Sequence, residues 1–229
     1  MRLISLILLF LLSGTVSAQK VEWYTTTQTS PWVKQKVKPE RVTTGAEIVL
    51  DPTLRLQLIM GIGGCFNEMG WDALNALSAE DREAVLQAIF SKDGACFNYC
   101  RLPMGANDFA LSFYSSADVA GDFNLVNFNI DRDRYILIPY IKAARQINPD
   151  LRIWASPWCP PAWMKTNNHY ASAVRPSGEK DVNGLLPREA ITEFSTGFRM
   201  EEGYLKTYAD YFARFIKAYE AEGLYSCPE

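Results

Sequence analysis

Trp158 and Trp163 lie in a loop whose backbone is largely dictated by proline, within Ile153-Trp154-Ala155-Ser156-Pro157-Trp158-Cys159-Pro160-Pro161-Ala162-Trp163-Met164-Lys165. Proline fixes its own φ and pushes the preceding residue toward extended backbone. A rigid loop that displays indole faces can hold a flat, partly apolar ligand such as a sugar ring. Ordinary core filling is the alternative for both indoles, because tryptophan is heavily buried on average. Arg101 belongs to the apolar run Phe97–Met104, a setting that argues against a plain surface arginine. A guanidinium stays charged and can donate twice to one carboxylate. Asp108 follows shortly after and could accept from two sugar hydroxyls at once, or cap a turn after Asn107. Glu68 and Asp108 together could be read as a carboxylate pair.

Other chemistries find less support. His169 is the sole histidine among 229 residues, and Cys96-x-x-x-Cys100 is not a usual zinc spacing, so no metal is expected. The five cysteines are Cys65, Cys96, Cys100, Cys159 and Cys227. An odd number leaves at least one unpaired. Cys65, Cys100 and Cys159 sit in or beside apolar runs and read as buried free thiols. Net charge is −3, with 48% hydrophobic and 21% charged residues. That is globular composition without an electrostatic footprint for nucleic acid.

The elements that must position these side chains alternate. Leu58–Phe66 reads as a buried, glycine-rich strand. Ser78 opens a helix as a capping residue, with Ala84, Val85, Ala88 and Ile89 at helical spacing, ending near Ser91 to Gly94. Phe97–Met104 is a second strand, followed by a long polar and aromatic loop to about Asn129. A helix begins after Asp131, and Pro139 inside it implies a kink or a late start. Leu151–Pro157 is a third strand, followed by a polar loop from Asn167 to about Thr196. The last helix carries Leu205, Tyr208, Ala209, Phe212, Ile216 and Tyr219 on one face, with Gly223 as its C-terminal stop. Alternating strands and helices with loaded loops after the strands suit a (β/α) barrel, with a doubly wound sheet as the alternative. Gly61-x-Gly63-Gly64 is not a dinucleotide fingerprint, and no helix is expected to follow at once.

Ahead of this domain, residues 19–57 read as an extended segment, with candidate strands at Val21–Thr27 and Glu47–Leu50. Residues 1–18 read as a secretory signal peptide: Arg2, an apolar run from Leu3 to Leu12, and small residues at Val16-x-Ala18. The run is too short for a transmembrane anchor. An exported protein is expected, periplasmic or extracellular.

The stretches GIGGCFNEMGWDALNALS, FNYCRLPMGANDFALSFYS, DFNLVNFNI, IWASPWCPPAWMKTN and GYLKTYADYFARFIKAYEAEGL occur in order from Gly61 to Leu224. In these the chain resembles glycoside hydrolase family 30, which includes glucosylceramidases and endo-β-1,6-glucanases. The resemblance implies the first three or so βα units of a (β/α)8 TIM barrel over residues 58–229. The extended segment before it would belong to a side β-domain. It implies a retaining hydrolase of β-glucosides or glucans that needs no metal or organic cofactor. Retaining chemistry uses two carboxyl groups about 5–5.5 Å apart, one as acid and base, one as nucleophile. The family's acid/base glutamate lies in an Asn-Glu-Pro motif, which this sequence lacks. Both catalytic glutamates are expected beyond Glu229, and this chain is read as an N-terminal portion.

The resemblance further implies that Arg101 bonds the catalytic carboxylates, that Asp108 binds sugar hydroxyls and that Trp158 lines the glucose subsite. Asn167 lies in a matching Lys-Thr-Asn stretch near the pocket. Glu68 falls near the pocket floor without a catalytic role, and Trp163 is structural. A non-catalytic carbohydrate-binding protein and a non-functional truncated product are the rival readings.

Overall fold

The computed structural model describes residues 21–38, 45, 51, 53–180 and 183–224. The signal-peptide and Glu47–Leu50 strand expectations both lie outside the described residues. Two units are present, Met1–Leu56 and Gln57–Glu229. In the first, β1 (Trp23–Thr25) pairs antiparallel with β2 (Val33–Gln35). Tyr24 stacks on Trp32 at 5.3 Å between ring centroids.

The second unit holds α1 (Glu68–Asn75), α2 (Ala79–Phe90), β3 (Tyr99–Met104), α3 (Asp131–Tyr135), α4 (Leu137–Ile147), β4 (Arg152–Pro157) and α5 (Glu202–Ala221). β3 and β4 run parallel, with Arg101 opposite Trp154 and Pro103 opposite Ser156. Cys100, Leu102 and Met104 point into a core shared with Leu86, Phe90, Leu137 and Ile141. Arg101, Trp154 and Ser156 alternate onto the other face, as the two-residue period of a strand requires.

The expected first strand is only partly realised. Residues 62–66 lie parallel beside β3: Tyr99 N donates to Ile62 O, Arg101 N to Gly64 O and Phe66 N to Arg101 O. Yet the ladder shrinks to a single bridge, Cys65 with Arg101. Leu58, Ile59, Met60 and Ile62 are exposed rather than buried, and so is Cys65. Glycine makes the close approach possible. A Cβ on Gly63 would fall 2.3 Å from Tyr99 O, and one on Gly61 would fall 2.6 Å from Tyr99 Cβ. The same glycines give the segment little side chain to anchor it.

A helix does follow this segment, contrary to expectation. Asn67 caps α1 by accepting from Gly70 N at 2.7 Å. Ser78 caps α2, its Oγ accepting from Asp81 N at 3.0 Å. The helix after Asp131 breaks at Ile136 (φ −123°, ψ −66°), so that α4 starts late with Pro139 in its first turn. Proline there lacks an N–H and would crowd the carbonyl of Tyr135, which ends α3. At the end of α5, Gly223 takes φ +73°. Leu224 N reaches Tyr219 O at 3.0 Å and Gly223 N reaches Glu220 O at 2.9 Å, a Schellman closure.

Two buried helix faces differ from expectation. α2 buries Leu86 and Phe90 while Ala84, Val85 and Ala88 face outward. α5 buries Thr207, Tyr211, Phe215 and Tyr219, leaving Leu205, Ala209 and Ile216 exposed. Burial energy follows apolar area, and aromatic side chains remove far more area from water than alanines do. The sheet remains open among the described residues, which makes this an incomplete (β/α) barrel.

Candidate functional site

The sheet's C-terminal ends feed two loops that enclose a cleft of about 660 Å³. One wall is the loop after β3, with Asp108, Leu111, Ser112 and Phe113. The other is formed by Trp158 to Pro160 after β4 and by Tyr170 to Ser172.

Asp108 is exposed in this wall and its carboxylate has no hydrogen-bond or ion-pair partner among the described residues. Trp158 is 44% exposed and stacks its indole against Arg101, with Cζ 4.5 Å from the ring centroid. Arg101 also lies 5.4 Å from Trp154, its register partner, and its Nε donates to Ser156 Oγ at 2.7 Å. The guanidinium is therefore fixed from two sides on the open face of the sheet. A stacked arginine holds the indole plane still while keeping its own charge.

The first loop is tightly built. Gly105 turns it with φ +81°, Ala106 N donates to Tyr114 O, and Asn107 Oδ1 accepts from Phe109 N. Met69 N, in the first turn of α1, donates to Phe109 O at 3.0 Å. Glu68, 2% exposed, is no wall of the cleft. Its Oε2 accepts from Leu111 N at 2.7 Å, and both its oxygens receive Arg132 at 2.7 Å. Arg132 also donates to Ser112 Oγ at 2.8 Å and lies over the Tyr114 ring. The carboxylate pair imagined from Glu68 and Asp108 does not form, because Glu68 is spent on Arg132.

The facing wall has its own anchors. Lys165, 3% exposed, gives Nζ to the carbonyls of Tyr170 and Ala171. Burial lowers its pKa, with the nearby Cys159 opposing. Burial pushes the Cys159 thiol up to about 11, and Sγ donates to Tyr170 O. The Tyr170 hydroxyl donates to Asp118, and its ring stacks with Phe113 across the cleft at 5.4 Å. Asn167 is absorbed by this wall: Nδ2 donates to Ala171 O and Glu189 O, and Oδ1 accepts from His169 N. Trp163 is buried and donates to Ala117 O at 2.8 Å.

Asp108 and Trp158 thus line one cleft, with Arg101 stacked against Trp158 from the sheet, while Glu68 and Asn167 hold loops in place. Arg132, Lys165, Asp118 and the Phe113–Tyr170 stack were not foreseen. Lys165 had a signal, since it sits within the tryptophan loop. Arg132 had little, because Asp131-Arg132-Asp133-Arg134 reads only as the polar start of a helix. Among the described residues no cluster of His, Cys, Asp and Glu could hold a metal ion, and no helix is long and apolar enough to cross a membrane.

An exposed carboxylate, a fixed indole face and a second aromatic wall form a surface suited to a polyhydroxylated ring. Comparison with known proteins identifies the family. Residues 59–184 match the glycosyl hydrolase family 30 TIM-barrel domain. Putative glucosylceramidase 4 of Caenorhabditis elegans is 30% identical over 215 residues, covering 92% of this chain and 38% of that protein. Lysosomal acid glucosylceramidase of Mus musculus is 30% identical over 190 residues, covering 82% and 33% respectively. Endo-1,6-beta-D-glucanase of Neurospora crassa is 28% identical over 175 residues, covering 75% and 32%. The chain therefore spans between about three and four tenths of the length of these relatives.

Among solved structures, the endo-beta1,6-glucanase BT3312 superposes with TM-score 0.60 at 28% identity, over 87% of this chain and 39% of that one. SrfJ from Salmonella typhimurium gives TM-score 0.62 at 27% identity, over 84% and 38%. The domain match takes in more than half of the 229 residues, along with β3, β4 and both walls' main anchors. On that footing the chain belongs to glycosyl hydrolase family 30.

Proposed function

We propose that this chain supplies the sugar-holding wall of a retaining β-glycosidase, with a β-glucoside such as glucosylceramide or a β-1,6-linked glucan as substrate. One observation carries the reading: the partner-free Asp108 and the half-exposed Trp158 face the same cleft. Ionised carboxylates accept from vicinal hydroxyls, and an indole covers the apolar face of a pyranose. The names of the relatives, glucosylceramidase and endo-1,6-glucanase, support a glucose-configured substrate.

The described wall of the cleft carries a single carboxylate, Asp108. Retaining hydrolysis needs two, about 5–5.5 Å apart. We assign the acid/base and nucleophile glutamates to residues outside this wall, and Arg101 to steadying them. The 229-residue chain by itself is expected to bind sugar without cutting it. The apolar leader supports export, and N-terminal sequencing of the exported product, expected to begin at Gln19, checks that part.

The decisive experiment pairs two measurements on the purified chain. An assay with 4-nitrophenyl β-glucoside is expected to show no turnover above buffer. Calorimetry with gentiobiose is expected to show binding that weakens about tenfold in Trp158→Ala, a loss near 1.4 kcal/mol. Robust hydrolysis that disappears in Asp108→Asn would overturn the assignment of catalysis to other residues.

A further inference from the structure

We propose that Glu68 and Arg132 form a positioning pair for sugar recognition, acting through the loop that carries Asp108. The inference rests on the sugar-site reading of the cleft and adds to it residues that do not touch the cleft's contents. Asp108 has no partner of its own among the described residues, so its placement depends on the backbone on either side. That loop is held through its backbone at Phe109 O by Met69 N and at Leu111 N by Glu68 Oε2, and through the Ser112 side chain, whose Oγ accepts from Arg132 Nη1. Arg132 Nη2 also reaches Ser112 O at 3.4 Å.

Glu68 is buried and Arg132 half-buried, and an ion pair taken partly out of water is a poor device for stability alone, since apolar side chains of like volume often do as well or better. What it provides is direction. The Arg132 fork engages both Glu68 oxygens, which leaves Oε2 aimed at one amide of the loop. From behind, Arg132 is fixed over Tyr114, with Cζ 4.2 Å from the ring centroid, and the Tyr114 hydroxyl is in turn held by Asp133 at 2.9 Å. The chain of contacts thus runs from the core at Asp133 and Tyr219 outward to the loop. Loop placement errors of about 1 Å are enough to lower the efficiency of a site by orders of magnitude.

The test uses the full chain and gentiobiose as probe, with amide hydrogen exchange alongside calorimetry. Arg132→Gln is expected to weaken binding about tenfold and to remove protection at Leu111, while the β3 amides keep theirs. Arg132→Lys, which keeps charge but loses the fork, is expected to fall between the two. Asp108→Asn with Arg132→Gln is expected to bind no more weakly than Asp108→Asn, because both changes act through the same carboxylate. Additive losses, or unchanged Leu111 protection in Arg132→Gln, would overturn the proposal. If Arg132→Gln does not fold, Ser112→Ala cuts one of its links to the loop, and a binding loss that vanishes in the Asp108→Asn background supports the proposal while an additive loss overturns it. If the parent chain does not bind gentiobiose, the sugar-site reading fails, whereas Leu111 protection still decides whether the pair holds the loop.

Discussion

Asp133 shows what burial does to a single carboxyl group in this protein. It is 1% exposed and accepts from the hydroxyls of Tyr114 at 2.9 Å and Tyr219 at 2.7 Å. Those bonds favour the ionised form, but desolvation outweighs them and raises the pKa from 3.8 to about 6. The unfolded chain gives up this proton near pH 4, whereas the folded chain keeps it until about pH 6. Between those values the folded state binds more protons, so the contribution to stability is greatest in acid and is lost as pH rises through 6. The full difference is about 3 kcal/mol. Urea denaturation of the parent and of Asp133→Asn across pH 4 to 7 should diverge by that order, the parent losing stability relative to the variant as pH rises. Parallel curves would show that Asp133 does not titrate in this window. Arg101 and Trp158 illustrate the opposite case, in which a charged group is held by an aromatic face and one hydroxyl rather than by an acid.

The strands and helices were legible to differing degrees, for physical reasons that can be named. β3 and β4 were evident because aromatic and other apolar side chains fill short runs bounded by turn residues. The ends of α2 and α5 were evident because Ser78 and Gly223 act locally. α1 was missed because Glu68–Asn75 is short and its cap, Asn67, follows an apolar run directly. The buried faces of α2 and α5 were misjudged because each helix has two apolar stripes, and only tertiary packing chooses between them. In the site, Arg101, Asp108 and Trp158 were legible because they lie in, or shortly after, the apolar runs that form β3 and β4. The Glu68–Arg132 pair was not, since it joins residues 64 apart in sequence. Two substitutions separate local from packing contributions. Ser78→Ala should cost about 1 kcal/mol through the lost cap. Gly63→Ala should cost on the order of 3 kcal/mol, because its Cβ would press on Tyr99 O. Equal losses in chemical denaturation would mean that residues 62–66 do not pack against β3 as described.

The second unit presents water with apolar side chains that a closed barrel would cover. Leu58, Ile59, Met60 and Ile62 are all at least 60% exposed, and Trp154 is 42% exposed on the open face of the sheet. Contiguous apolar surface and unpaired strand edges favour association. The purified chain should bind an apolar dye and self-associate with rising concentration in sedimentation, and Ile59→Ser with Met60→Ser should reduce both. A strictly monomeric, dye-silent chain would mean that this surface is covered in solution. Burial has a further effect on the phenols. Tyr114, Tyr170, Tyr208, Tyr211 and Tyr219 all have their ionisation pushed upward by desolvation, Tyr211 to about 12. In an alkaline spectrophotometric titration, these rings will turn to phenolate only after the polypeptide has come apart. The late rise in ultraviolet absorbance is then a built-in optical record of denaturation, needing no added label.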